Sequence, residues 1–381
     1  MINMAAGLYI HVPFCLRKCR YCDFISYPYS GAAAGEYLGA LKQEMALYGE
    51  ALANEDKVFS TVFIGGGTPT CLPAEHLSAV LERLQGVFTL LPGCEITVEA
   101  NPGTVDEHTF KVLKAAGVNR LSLGVQSFDD SLLRALGRVH TAAEAEAAFW
   151  AARSAGFDNI NLDLIFGIPG QSAAIWGETL RRVARLGPEH VAAYSLQVEE
   201  GTPLALSIEK GEISACPEEL ELLMYWQVID LLKRTGFVHY EISNFARPGC
   251  ESRHNLGYWR NHLYLGLGPA AHSNLGGRRF ANETSLTRYR EHLAGGEFPV
   301  AEWENISLEV EMAETLFMGL RLLEGIRLAD FQQRFSRKAE EMYSSEISRL
   351  SGMGLITLDC GFLRLTKKGL PLANEVFKAF V

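Results

Sequence analysis

The chain has 381 residues, 48% of them hydrophobic and 21% charged, a composition that excludes disordered, collagenous and membrane-embedded classes. Its 35 Lys and Arg against 45 Asp and Glu leave a net charge of −10, which repels phosphate backbones and disfavours nucleic acid as a partner. Nowhere do about 18 consecutive apolar residues occur, and Met1 to Gly7 lack a basic stretch ahead of an apolar one, so a cytoplasmic protein without an integral membrane segment is expected.

In chain order, six short β-branched runs stand out: Leu8–Val12, Thr61–Ile64, Glu95–Glu99, Arg120–Leu123, Ile160–Leu164 and Val191–Leu196. Amphipathic stretches separate them: Tyr37–Leu52, Ala74–Leu84, Asp106–Ala116, Ala142–Ala155 and Ala174–Leu186. Strand-then-helix repetition predicts a parallel sheet, because parallel neighbours need a crossover and a helix supplies it. The fold class is therefore α/β, with residues 1–235 as the main domain. Residues 236–302 are rich in Gly, aromatic residues and His and are read as an irregular module. From 303 to 381, three helical patterns precede a hairpin (Leu355–Thr366) and a final helix, a winged-helix-like order. This segment holds 10 Lys and Arg against 11 Asp and Glu, so a structural or interaction role is expected rather than DNA binding.

Three of the eight cysteines crowd into Cys15-Leu16-Arg17-Lys18-Cys19-Arg20-Tyr21-Cys22, directly after the first strand. The C-x3-C-x2-C spacing brings three thiolates around one inorganic core, and it reads as metal chemistry rather than a disulfide framework. A [4Fe–4S] cluster takes one cysteine per iron, so three leave one iron open for a small molecule. Zinc with His11 as fourth ligand is the competing reading, weakened because the pleat fixes where His11 points. Cys71, Cys94, Cys216, Cys250 and Cys360 are expected to be packed thiols.

Loops after strands carry function in parallel α/β folds. Gly65-Gly66-Gly67-Thr68-Pro69-Thr70 follows the second strand and lets backbone approach a ligand closely; no Gly-Lys-Ser/Thr follows, so it is not a nucleotide P-loop. Glu99, Gln126 and Asp163 fall at or near the ends of the third, fourth and fifth strands, and Arg138 follows the fourth. Tyr9 lies on the first strand.

The cysteine spacing, with Tyr21 before the third Cys and a parallel βα array behind it, resembles the radical S-adenosylmethionine superfamily. The resemblance implies an incomplete (β/α)6 TIM-like barrel whose open iron chelates S-adenosylmethionine and whose reduced cluster, fed by an electron donor, cleaves the sulfonium. Tyr9-Ile10-His11-Val12-Pro13-Phe14-Cys15, Gly124-Val125-Gln126-Ser127-Phe128 and Asn161 to Gln171 further resemble the HemN-like branch, over essentially the whole chain. That branch holds the oxygen-independent coproporphyrinogen III oxidase and the HemW heme chaperones. Its pattern implies Tyr9, Gly66, Gly67, Thr68, Glu99, Gln126, Arg138 and Asp163 as contacts to S-adenosylmethionine, and Cys15, Cys19 and Cys22 as metal ligands.

Two departures favour the chaperones: Phe24 stands where the oxidase motif has a further Cys, and only seven residues precede the first strand. His254-Asn255-Leu256-Gly257-Tyr258-Trp259 is similar to the His-Asn-x-x-Tyr-Trp motif associated there with heme. Imidazole ligates heme iron, and Tyr and Trp rings stack on a porphyrin. His254, Tyr258 and Trp259 are thus candidate heme contacts, with Cys250, His262 and His272 as nearby alternatives for the iron ligand. The resemblance implies heme binding and transfer to an unidentified acceptor protein. Radical decarboxylation of coproporphyrinogen III is the alternative, and a zinc-dependent regulator is a third reading.

Overall fold

The computed structural model describes residues 6–380; Met1–Ala5, part of the opening segment read above, and Val381 lie outside the described residues. The first half runs β1 (Ala6–Val12), the two-residue strands β2 (Phe14–Cys15) and β3 (Tyr27–Pro28), α1 (Gly31–Ala51), β4 (Val58–Gly66), α2 (Ala74–Val87), β5 (Thr89–Ala100) and α3 (Glu107–Ala115). It continues with β6 (Arg120–Gln126), α4 (Asp130–Leu136), α5 (Ala142–Ser154), β7 (Ile160–Phe166), α6 (Ala173–Leu186) and β8 (His190–Ser195).

The six expected strands pair in parallel in the order β1-β4-β5-β6-β7-β8. Side chains alternate along each strand, and the alternation sorts chemistry here. Leu8, Ile10, Val62, Ile64, Val98, Leu121, Leu162 and Leu164 join a core with helix residues such as Leu77, Leu81, Phe149, Trp176 and Leu180. Tyr9, Phe63, Glu99, Ser122, Asn161, Asp163 and His190 face the other way, around an interior cavity of about 230 Å³. The helices close where local chemistry demands: Thr141 and Glu144 form a reciprocal capping box at the start of α5.

After α7 (Pro203–Glu209) and α8 (Glu218–Arg234), residues 236–302 are more regular than expected. They carry β9 (Val238–Glu241), β10 (Asn244–Ala246), α9 (Arg253–Trp259), β11 (Tyr264–Leu267), β12 (His272–Leu275), β13 (Arg278–Asn282) and α10 (Leu286–Ala294), with β14 (Val300–Asn305) at the boundary. Hairpin β9–β10 adds antiparallel to β8, while β11 adds parallel to β1 and leads into an antiparallel β12–β13–β14 meander, giving a 12-stranded sheet. These strands span three to six residues, too few for alternation to show in sequence.

The C-terminal unit comprises α11 (Leu308–Gly319), β15 (Ile326–Arg327), α12 (Leu328–Phe335), α13 (Ala339–Met342), α14 (Ser344–Gly352), β16 (Ile356–Asp359), β17 (Phe362–Leu365) and α15 (Ala373–Phe377). The helix expected over 339–351 breaks at Tyr343. Cys360 and Gly361 both take positive φ in the two-residue turn of the β16–β17 hairpin. Leu316, Phe331, Leu350, Leu363 and Val376 form a separate core, as a winged-helix-like unit requires. Among the described residues, no helix is long and apolar enough to cross a membrane.

Candidate cofactor site and adjoining cleft

The cysteine segment leaves β1 at the carboxyl end of the barrel and is pinned on three sides. Pairing of β2 with β3 closes its base. Arg20 N–H donates to Leu136 O at the end of α4 (3.0 Å), and Leu204 N–H donates to Arg20 O (2.9 Å). The third side is the glycine loop after β4. Gly67 lies so close to β2 that a Cβ there would sit 2.5 Å from Phe14 O, and Gly66 takes φ +109°, a conformation that L side chains rarely adopt. Thr68 N–H donates to Phe14 O (2.7 Å) and Thr68 Oγ1 donates to Cys15 Sγ (3.6 Å).

Arg138 approaches from the far side. Its Nη1 donates to Cys19 Sγ (3.5 Å) and its Nη2 to Gly124 O (2.7 Å), while its buried Nε has no protein partner. Burial, and secondarily the adjacent Cys19 and Cys15 thiols, push the Cys22 thiol above its ordinary value. The three sulfurs therefore sense one another. Among the described residues no three His, Cys, Asp or Glu side chains converge tightly enough for a single ion, whereas a cluster spreads its thiolates over separate irons. His11 does not turn toward the thiols: Nδ1 bonds Tyr9 OH (3.0 Å) and Nε2 bonds Ile25 O (3.1 Å).

The expected rim residues converge from successive strands. Glu99 Oε2 accepts from Gly66 N–H (3.1 Å). Burial, then the Asp163 carboxylate, push Glu99 up to about 8. Gln126 ends β6 at φ 64°, unusual for a residue with a Cβ and a mark of a held conformation. Its Nε2 and Arg138 Nη2 both crowd Gly124, where a Cβ would lie 3.2 and 3.1 Å from them.

A polar relay runs inward from this rim. Ser122 Oγ and Asn161 Nδ2 donate to Asp163 (2.9 and 2.7 Å), and Asn161 Nδ2 also donates to Ser122 Oγ (2.7 Å). With that amide committed, Asn161 Oδ1 accepts from His190 Nδ1 (2.6 Å), so His190 Nε2 accepts from Tyr240 OH (2.8 Å). Burial, which depresses His190, fits this neutral tautomer.

The relay ends at α9, which closes the opposite end of the barrel. The orphan N–H groups that start any helix are met here by Glu95 of β5, whose carboxylate accepts from Arg253 N–H and His254 N–H, both 3.0 Å. His254 is 3% exposed. Its Nδ1 bonds Thr61 Oγ1 (2.8 Å), its Nε2 bonds Tyr258 OH (3.0 Å), and its ring stacks on Phe63 at 5.2 Å. Burial lowers it to about 3, so it is neutral. Trp259 lies under the Arg321 guanidinium, 4.2 Å from its ring centroid. Of the three motif residues, Tyr258 lines a cleft of about 660 Å³ that also reaches Tyr9, Gly66 and Glu99. Of the alternatives, His262 lines a separate cavity of about 250 Å³ beside α9, and His272 lines the larger cleft.

Two family models match, the Radical SAM superfamily over residues 9–183 and the HemN C-terminal domain over residues 306–372. Heme chaperone HemW of Bacillus subtilis is 39% identical over 376 residues, covering 98% of each chain. The chain belongs to the HemW family. Heme chaperone HemW of Mycobacterium tuberculosis is 37% identical over 379 residues, 98% of this chain and 94% of its own. The solved structure of coproporphyrinogen III oxidase HemN from Escherichia coli superposes with a TM-score of 0.86 over 99% of this chain and 90% of its own, at 24% identity; that likeness concerns the fold.

Radical SAM membership implies a [4Fe–4S] cluster and S-adenosylmethionine, and the residues of this HemW-family chain fit them. Three thiols share one anchored loop, an arginine with an unpaired buried nitrogen adjoins it, and a glycine loop and a raised carboxyl face the same space. Sequence reasoning did not assign the Ser122–Asn161–His190 interior, the Glu95 cap of α9 or the cleft-lining role of Phe24. The first two involve partners far apart in the chain; the exposed aromatic next to the cysteines was the available signal for the third.

Proposed function

We propose that this chain is a heme chaperone: it binds heme in the cleft beside the cysteine loop and passes it to an acceptor protein. In this reading Cys15, Cys19 and Cys22 hold the [4Fe–4S] cluster. Tyr9, Gly66, Gly67, Thr68, Glu99, Gln126, Arg138 and Asp163 hold S-adenosylmethionine. When bound, the cluster supplies an electron to the sulfonium. The residues position and shield that pair: Arg138 neutralises thiolate charge, and Glu99 faces a cationic group. A cytoplasmic setting, where thiols stay reduced, suits the eight unpaired cysteines.

The observation that carries the reading is the composition of the cleft. Its volume of about 660 Å³, part of it shared with the S-adenosylmethionine contacts Tyr9, Gly66 and Glu99 that also line it, lies within the range of sites that enclose cofactor-sized ligands. Phe24 and Ile25, 62% and 40% exposed, offer apolar surface to a flat macrocycle. The lining includes Asp23, Glu99 and Glu302 and no lysine or arginine. Carboxylates want cationic clamps, and coproporphyrinogen III carries four propionates against two on heme, so this lining favours the ligand with fewer carboxylates, held by its metal and its faces. The end-to-end likeness to relatives named heme chaperones supports the same cargo. Within the motif, Tyr258 touches heme, His254 acts as a positioning residue through its hydrogen bond to Tyr258, and Trp259 backs the helix against the C-terminal unit.

The test is anaerobic. Purified protein titrated with hemin is expected to bind it stoichiometrically, and protein supplied with reductant, S-adenosylmethionine and coproporphyrinogen III is expected to release no protoporphyrinogen. Formation of that product would refute the chaperone reading in favour of the oxidase.

A further inference from the structure

We infer that His272 supplies the axial nitrogen to heme iron, from the wall of the cleft opposite the barrel rim; this rests on the heme reading above and gives it an atom. The placement follows from register. Tyr9 pairs with Gly266 across β1 and β11, and Tyr264 pairs with Asn274 across β11 and β12, which brings His272 beside Gly266. The absence of a side chain at Gly266 permits this: a Cβ there would sit 2.1 Å from His272 O. Ser273, the next residue, is buried and anchors the strand through Gly266 N–H (2.9 Å). Strand alternation then turns His272 outward, exposed and into the cleft.

A neutral imidazole is a common heme ligand, but only with a free nitrogen. Two histidines line the cleft, His11 and His272. Both nitrogens of His11 are engaged, by Tyr9 and by Ile25 O. His272 has no side-chain hydrogen bond, ion pair or ring contact among the described residues. Its ring thus has a nitrogen to give without breaking anything. His254 would have to surrender Thr61 or Tyr258 and leave the core. His262 faces the cavity of about 250 Å³, below the ~300 Å³ at which cofactor pockets begin. Cys250 is not among the residues lining the cleft. Phe24 and Ile25 border the same space from the cysteine loop, so a macrocycle ligated by His272 lies beside the S-adenosylmethionine rim.

The experiment uses the full chain, reconstituted anaerobically, with hemin as probe. His272→Ala is expected to shift the Soret band and weaken hemin binding about tenfold or more, since even outer groups of metal sites cost 10–100-fold when lost. Added imidazole should restore the wild-type spectrum. Iron and sulfide content should stay unchanged, because His272 holds nothing together. Ala301→Trp, which fills the cleft, should weaken binding without imidazole rescue, and His262→Ala should do neither. Wild-type protein that binds hemin while His272→Ala keeps its spectrum and affinity overturns the assignment and leaves the chaperone reading standing. Wild-type protein that takes up no hemin overturns both.

Discussion

Glu44 gives the sharpest test of how the cleft wall is held. It projects from α1 into the seam between the barrel and the β11–β13 flank, fully buried. Its carboxylate accepts from Gly268 N–H (2.7 Å), Tyr289 O–H (2.6 Å) and Asn282 Nδ2 (2.6 Å). Burial pushes it up to about 7 against an ordinary 4.5, and those three donors pull the other way. Glu44→Ala orphans the Gly268 and Tyr289 donors, whereas Asn282 keeps Gly268 O (2.9 Å). At about 1–3 kcal/mol per buried unsatisfied donor, the cost is roughly 2–6 kcal/mol. Hydrogen exchange at Gly268 and along β12 should accelerate accordingly, and thermal unfolding should fall. The pH dependence has a definite sign. A carboxyl raised in the folded state binds its proton more tightly there, so its contribution is best below 4.5, declines as pH rises to about 7, and is flat above. The decline is at most about 3 kcal/mol. Glu44→Gln removes this titration, and its stability should fall less steeply than wild type across that window. A Glu44→Ala cost below about 1 kcal/mol, or identical pH slopes for wild type and Glu44→Gln, would refute the reasoning.

Other outcomes follow from the site. Glu99, held up to about 8, is largely protonated at neutral pH; binding the cationic S-adenosylmethionine beside it should release close to one proton more from wild type than from Glu99→Gln. Calorimetry in buffers of different ionisation enthalpy reads this, and equal release from the two would contradict it. Glu95→Ala strips two N–H groups at the start of α9 of their acceptor, of which the His254 N–H is buried, a loss of about 1–3 kcal/mol at the helix, seen as faster amide exchange confined to α9 and its neighbours. His254→Ala should lower heme affinity by freeing Tyr258 yet leave the Soret position unchanged; a displaced Soret band would make His254 itself the ligand.

The parallel core was legible because strands such as Ile160–Phe166 alternate apolar core residues (Ile160, Leu162, Leu164) with polar ones that face the barrel interior (Asn161, Asp163). Seven-residue helices such as α4, α7 and α9 complete too few turns to show a period, and the flanking strands too few residues. The cysteine loop needed only local spacing, so sequence placed it directly. His254 shows the opposite case. Its identity and motif were readable, but its burial depends on Thr61, Glu95 and Phe63, which the fold alone brings to it. His272 was one candidate among several until the register beside Gly266 turned it into the cleft.

The most direct measurement is electron paramagnetic resonance of the anaerobically reduced protein, with and without S-adenosylmethionine, alongside iron and sulfide analysis of wild type and a Cys15, Cys19 and Cys22 triple serine variant. The expected result is a cluster signal that S-adenosylmethionine perturbs, and a variant stripped of both iron and sulfide. A colourless wild type, a signal indifferent to S-adenosylmethionine, or a variant that retains its full iron and sulfide would contradict an open iron held by these three thiolates.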